Sequence, residues 1–184
     1  INIQKLLKPE WFIDHQFGKF ERVKGGNKTD IRSNDNTIKI QVKKYKRKQF
    51  QQLDRHWVQD IVRNIKGLKG IESILQNLCE YPLLPNGTHV DKTKSIKKLD
   101  NKNYTEGILS TFIDVLNVNI RDILQYAFLG TIDELKPEYL IGVEYHNKKR
   151  NKLVFLRMID ILTYLESLRF KINSSKTVVS LGDN

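Results

Sequence analysis

An aspartate, a glutamine and a lysine are the residues of this sequence whose types and spacing best suit a reaction. Thr29-Asp30-Ile31 is followed, after a short turn, by Ile40-Gln41-Val42-Lys43. If the two segments pair as a hairpin, Asp30 approaches the Gln41 and Lys43 side chains. Gln41 and Lys43, two apart on a strand, project from the same face. Phosphodiester hydrolysis calls for oxygen ligands that hold Mg²⁺ against the phosphate and its attacking water, and for a cation that orients or deprotonates that water. Asp30 offers the carboxylate, Gln41 an amide oxygen and Lys43 the ammonium. Spacing alone leaves open a plainer reading, in which Gln41 and Lys43 are solvated residues on the outer face of a strand.

The next segment points the same way. Lys43, Lys44, Lys46, Arg47 and Lys48 crowd five positive charges into six residues with no acid among them. So dense a run at a strand–helix junction suits phosphate contacts. Beyond it, Gln52, Arg55, His56, Gln59 and Arg63 recur at i, i+3, i+4, i+7 and i+11. They form one polar helix face opposite a Leu53/Trp57/Ile61 stripe. Gln and Arg can make bidentate bonds to base edges, whereas a solvated face more commonly alternates Glu with Lys. This face carries donors and amides, with Asp54 and Asp60 off it. Phe50, flanked by Gln49, Gln51 and Gln52, admits two readings: a wedge into a minor groove, or a helix-start residue packed near Leu53. His56 likewise either meets DNA or packs beside Trp57.

These groups need elements to carry them. Residues 20–24, 29–33 and 37–45 read as three strands. In the last, Ile38, Ile40 and Val42 alternate with Lys39, Gln41 and Lys43, the period-2 pattern of a half-buried strand. Gly25-Gly26-Asn27 and Asn34-Asp35-Asn36 supply turn chemistry between them. From Phe50 the period becomes helical through Leu53, Trp57, Val58, Ile61, Val62 and Ile65, and Gly67 reads as the stop. A helix over 69–80 leads to the Pro82 and Pro85 turn region, and 86–104 reads as an exposed polar loop. Helices are expected over 106–117 and 119–129. Tyr139–Tyr145 and Lys152–Leu156 resemble a hairpin with a basic tip at 146–151, which suits backbone contact or simple solvation. Ile159, Leu162, Leu165 and Leu168 mark another helix, and 176–181 a last short strand. Strands and helices mix without βαβ alternation, so the expected fold class is α/β (α+β): a mixed central sheet flanked by helices.

Composition bounds the partners. The 184 residues carry 32 Lys and Arg against 21 Asp and Glu, a formal charge of +11. That balance suits a polyanion. The hydrophobic fraction of 39% supports a real core. One cysteine, Cys79, excludes an internal disulfide framework; with four scattered histidines it excludes a Cys-rich zinc cage. Cys79 itself reads as a small core residue. No apolar run reaches the ~20 residues of a membrane span, and no signal peptide opens the sequence, so a cytoplasmic bacterial protein is expected. The sequence begins with Ile1 rather than Met, which suggests a single domain over 1–184 trimmed at its start.

The order Lys28-Thr29-Asp30-Ile31, Ile40-Gln41-Val42-Lys43 and Phe50-Gln51-Gln52-Leu53-Asp54-Arg55-His56-Trp57 resembles the HinP-type restriction endonucleases, relatives of the Msp-type enzymes within the PD-(D/E)XK nuclease superfamily. The likeness is strong over about 28–60. It continues more weakly through Glu138-Tyr139-Leu140-Ile141-Gly142-Val143 and Arg157–Tyr164. It implies Mg²⁺-dependent double-strand cleavage within a short G·C-rich palindrome of about four base pairs, by a monomer or homodimer acting on duplex DNA. It makes Asp30 and Gln41 metal ligands and Lys43 the catalytic lysine. Gln41 stands where the superfamily usually has an acid, so metal affinity should be lower unless Glu10, Glu21 or the scissile phosphate compensates. The resemblance also implies a single endonuclease domain over 1–184 truncated at both ends, since the family has a helical segment upstream of this sequence. Past the equivalent of Ser180–Asn184 it adds a Gln/Arg/Lys/Gly-rich strand and loop that touch bases. Two further readings share the same core: a catalytically silent DNA-binding module, and a nuclease of repair or mobile-element type.

Overall fold

A computed structural model describes residues 20–23, 28–33, 35–45, 58–79, 99, 104–146, 149–176 and 178–182. The β-branched segments pair as their alternation predicts. β1 (Phe20–Arg22), β2 (Ile31–Ser33), β3 (Lys39–Tyr45), β4 (Tyr139–His146) and β5 (Lys149–Arg157) form a five-stranded sheet in that order. β3 and β4 run parallel, and the other neighbours are antiparallel. The parallel seam pairs Ile40 with Tyr139 and Tyr45 with Glu144. The expected fold class, a mixed sheet with helices, is the observed one. β5 starts earlier than the sequence suggests: four of the six residues read as a basic tip are strand, His146 ending β4 and Lys149 opening β5.

The described residues within 1–52 and 127–164 form one compact unit, and those within 53–126 and 165–184 another. The first holds the sheet. Leu140, Val154, Leu156, Met158, Ile161 and Leu162 are buried in it. α5 (Met158–Glu166) begins at the end of β5. Its buried stripe is Met158, Ile161 and Leu162, at i, i+3 and i+4, so of Ile159, Leu162, Leu165 and Leu168, which marked this helix in the sequence, only Leu162 lies on the buried stripe. Ile159 is 63% exposed, and Leu168 lies beyond the helix. The β2–β3 turn is built by Asp35, whose Oδ1 accepts from the Ser33 hydroxyl, the Thr37 hydroxyl and the Thr37 N–H. The Ser33 bond first, then those of Thr37, hold the Asp35 carboxyl below its ordinary value. A carboxyl depressed in the folded state stabilises above its unfolded value and loses that contribution as pH falls through the folded one. Between about pH 5 and pH 3, wild-type stability in urea titrations should therefore fall more steeply than that of Asp35→Asn.

The second unit is helical. α1 (Val58–Asn64), a 3-10 segment (Lys66–Ile71), α2 (Glu72–Cys79) and α3 (Glu106–Val118) bring together a core centred on Val58, Ile61, Leu68, Phe112 and Leu116. Gly67 does not end a helix, as its position after Ile65 suggested. It lies inside the 3-10 segment, where an added Cβ would stand 1.9 Å from Asn119 Oδ1. A side chain there would have to displace the Asn119 amide, which donates to the Val115 carbonyl. α3 is capped by Thr105, which accepts from the Ile108 N–H. α4 (Ile120–Leu129) follows after a single residue. Within the expected exposed loop, Leu99 is fully buried in the helical core and its N–H reaches the Lys176 carbonyl. β6 (Phe170–Ile172) and β7 (Val179–Leu181) form a two-stranded sheet; β6 has no counterpart in the sequence reading. Asn117 of α3 holds β6 like a neighbouring strand: its Oδ1 accepts from the Phe170 N–H at 2.7 Å and its Nδ2 donates to the Phe170 carbonyl at 3.4 Å. Asn117→Leu leaves both peptide groups without a partner and should cost about 1–3 kcal/mol in chemical denaturation. No helix among the described residues is long and apolar enough to cross a membrane.

Candidate active site

The site grows from where β2 stops. β2 pairs with β3 only through Ile31↔Ile40 and Arg32↔Lys39. Asp30, one residue before it, donates its N–H to the Ile40 carbonyl at 2.9 Å and accepts from the Val23 N–H at 2.9 Å. That places Asp30 opposite Gln41, and residues opposite one another across antiparallel strands share a face. The next β3 peptide, Val42, then lacks a strand partner, and the Asp30 side chain supplies one: Oδ2 accepts from the Val42 N–H at 2.7 Å. One carboxylate oxygen is thus engaged in the sheet, while Oδ1 accepts nothing from any described residue.

β3 is the middle strand of the five, and this changes the expected pattern. Ile40 and Gln41 are both buried, at 4% and 1% exposure, whereas Val42 is 36% exposed. A strand flanked on both edges and joined to a parallel neighbour tends to be covered on both faces, so Gln41 does not lie on a solvated outer face. Its Oε1 is the one buried side-chain N or O atom among the described residues without a hydrogen-bond partner. Such an atom costs about 1–3 kcal/mol when nothing satisfies it. Lys43, on the same face, is half-buried and makes no ion pair with any described residue. The structure therefore brings Asp30, Gln41 and Lys43 to one face of one sheet.

The supporting residues are less legible in the sequence. Thr29 is 1% exposed and its hydroxyl donates to the Leu135 carbonyl at 2.5 Å; the only hint was its place beside Asp30. Glu21, weighed as a further metal ligand, bonds Arg32 Nε through Oε1 at 2.6 Å, and Glu10 lies outside the described residues. No group of three or more His, Cys, Asp or Glu able to hold a metal occurs among the described residues. An ion here would rest on one carboxylate oxygen and one amide oxygen, with further ligands from water and substrate. Both are hard oxygen donors, the kind Mg²⁺ takes.

Of the expected DNA-contact residues, Lys44 lies in β3 in register with Val143. Lys46, Arg47, Lys48, Phe50, Gln52, Arg55 and His56 lie outside the described residues. Gln59 belongs to α1. Arg63 does not stand on an acid-free face: its Nη1 pairs with Asp60 Oδ1 at 3.2 Å along the helix. Residues three apart on a helix are neighbours, so the i, i+3 spacing that takes Asp60 off the Gln/Arg stripe still lets it reach Arg63.

Among solved structures, the chain is similar to that of the restriction endonuclease MspI in complex with its cognate DNA. The TM-score is 0.53 at 13% sequence identity, over 86% of this chain and 67% of that one. This chain has a restriction-endonuclease-like fold. Neither a protein-family model nor a curated protein matches the sequence, so the likeness is one of fold. Within the restriction-endonuclease-like fold of this chain, the candidate site lies wholly in the sheet unit: Asp30 is at the start of β2, and Gln41 and Lys43 are on the central strand.

Proposed function

We propose that this chain is a Mg²⁺-dependent DNA endonuclease of the type II restriction kind, cutting both strands within a short G·C-rich palindrome. The observation that carries this reading is the buried, unpartnered Oε1 of Gln41 beside Asp30, on the face that also bears Lys43. An oxygen that costs stability and has no internal partner is suited to a ligand from outside the chain.

Asp30 Oδ1 and Gln41 Oε1 would hold the ion. A bound Mg²⁺ supplies a Lewis acid for the phosphate and acidifies a coordinated water. The chain does the rest. The Val42 N–H fixes Asp30 through Oδ2, so Oδ1 is presented in one direction. Burial of Gln41 keeps bulk water from competing for Oε1. Lys43, about 7 Å along the strand from Gln41, carries its ammonium on the same face, where it orients the attacking water and stabilises charge developing on the phosphate. Duplex DNA would be held by the basic run 43–48 and the Gln/Arg helix face.

A second reading, a DNA-binding module without catalysis, draws on the single carboxylate of the described site. Incubation of plasmid DNA with and without Mg²⁺ separates the two. Mg²⁺-dependent conversion of supercoiled plasmid to discrete fragments is expected. Salt-sensitive duplex binding with no cleavage in either Mg²⁺ or Mn²⁺ would establish the silent module instead.

A further inference from the structure

We infer that Thr29 is a positioning residue for the metal-binding carboxylate of Asp30, acting through its buried hydroxyl; this rests on the endonuclease reading above. Asp30 sits just outside β2, a strand of three residues, with its N–H on the Ile40 carbonyl and its carbonyl on the Val23 N–H, so the direction in which the chain enters it is left to residue 29. Three hydrogen bonds close a ring around it. Asp30 N–H reaches the Ile40 carbonyl, Glu138 N–H reaches the Lys39 carbonyl, and Thr29 Oγ1–H reaches the Leu135 carbonyl. The segments 29–30, 39–40 and 135–138 are the three sides of that ring. Two of its closures are backbone bonds that any side chain would permit. The third depends on the identity of one residue.

The acceptor end is itself held. Leu135 ends a 3-10 turn (Asp133–Leu135), with its N–H on the Ile132 carbonyl and the Lys136 N–H on Asp133. An ion pair between Lys136 Nζ and Asp133 Oδ1 at 2.6 Å spans the same turn, and Pro137 behind it is buried. Upstream, Gly130 adopts φ +76°, and its Cα lies against the Lys28 side chain, which a Cβ would meet at 3.0 Å. The 130–138 segment is therefore a braced platform beneath 28–30. A hydroxyl that is 1% exposed must be bonded to be tolerated, and this one is bonded to a fixed acceptor 106 residues away in the sequence. Thr29 consequently adds the side-chain bond that helps set the backbone direction at residue 30, and with it how Oδ1 is presented on the face shared with Gln41.

Outer residues that orient a metal ligand commonly govern about 10–100-fold of metal affinity. The test uses the whole chain with Thr29→Val, which keeps shape and removes the hydroxyl, and Thr29→Ser, which keeps the hydroxyl. Mn²⁺ binding is measured calorimetrically beside plasmid cleavage, duplex binding in EDTA and thermal stability. The expected result is a Kd for Mn²⁺ about 10-fold higher in Thr29→Val, with Thr29→Ser close to wild type and EDTA-phase DNA binding unchanged in both. If Thr29→Val does not fold, Thr29→Ala below its melting temperature carries the same expectation. Wild-type Mn²⁺ affinity in a destabilised Thr29→Val would overturn the positioning role while leaving the endonuclease reading intact. A wild-type chain that neither binds Mn²⁺ nor cleaves would overturn both.

Discussion

Lys43→Ala is expected to slow plasmid cleavage by about 10³-fold while duplex binding in EDTA stays within about twofold of wild type. The asymmetry follows from placement. Lys43 is one of five cations in the 43–48 run, so losing it should remove only one phosphate contact among several. Of the two described cations of that run, Lys43 and Lys44, it is the one on the strand face shared by Asp30 and Gln41, two residues from Gln41. Lys43→Arg should not restore the rate, because a planar guanidinium on a longer stem cannot place a compact charge at the same point. Single-turnover cleavage paired with a gel-shift titration separates rate from binding. Equal loss of both would assign Lys43 to the DNA grip rather than to the reaction.

Gln41→Leu should abolish metal-dependent cleavage and at the same time raise thermal stability. The two effects have opposite signs because they have one cause. Among the described residues Oε1 is buried and unbonded, so an apolar isostere relieves the desolvation cost. The gain should be about 1–2 kcal/mol, which for a chain of this length moves the melting temperature upward by about 3–6 °C. The same replacement deletes an oxygen donor and leaves Asp30 without its partner at the candidate metal position. Added Mg²⁺ or Mn²⁺ should then stabilise wild type, through linkage, but not Gln41→Leu. A purely structural glutamine would show the reverse: lower stability on substitution and an unchanged response to the ion. Differential scanning calorimetry with and without the metal distinguishes these outcomes directly.

Much of this arrangement is written in local pattern. The helices over Glu106–Val118 and Ile120–Leu129 lie within a residue of where their periodicity puts them, since a 3.6-residue apolar repeat buried on one side has few alternatives. The β2–β3 hairpin that joins Asp30 to Gln41 was likewise legible from alternation and turn residues. What the pattern misreads is the burial of Gln41. Alternating Ile, Gln, Val and Lys describes a strand with one wet face, but β3 gains β4 as a parallel neighbour from a distant part of the chain. A central strand with a parallel neighbour tends to be covered on both faces, which local alternation does not report. β6 was invisible for a related reason. Three residues of strand carry almost no periodic signal, and the group that holds them is the side chain of Asn117 on another element. Thr29 shows the limit for the site. A threonine beside an aspartate is ordinary in sequence, and its role appears only when the Leu135 carbonyl is found opposite its hydroxyl.

The parallel seam also governs how the protein comes into being. Ile40 meets Tyr139 across it, so nearly one hundred residues must emerge from the ribosome after β3 before its neighbour exists. The β1–β2–β3 meander is local and can close within microseconds. The β3–β4 step must close a long loop and is intrinsically slow. Until it does, β3 is a free edge bearing Ile40 and Val42, a template for intermolecular pairing. Its cations, Lys39, Lys43 and Lys44, are the kind of residue that discourages such pairing. Lys43 and Lys44, which belong to the basic run expected to meet DNA, would thus also guard the nascent strand against aggregation.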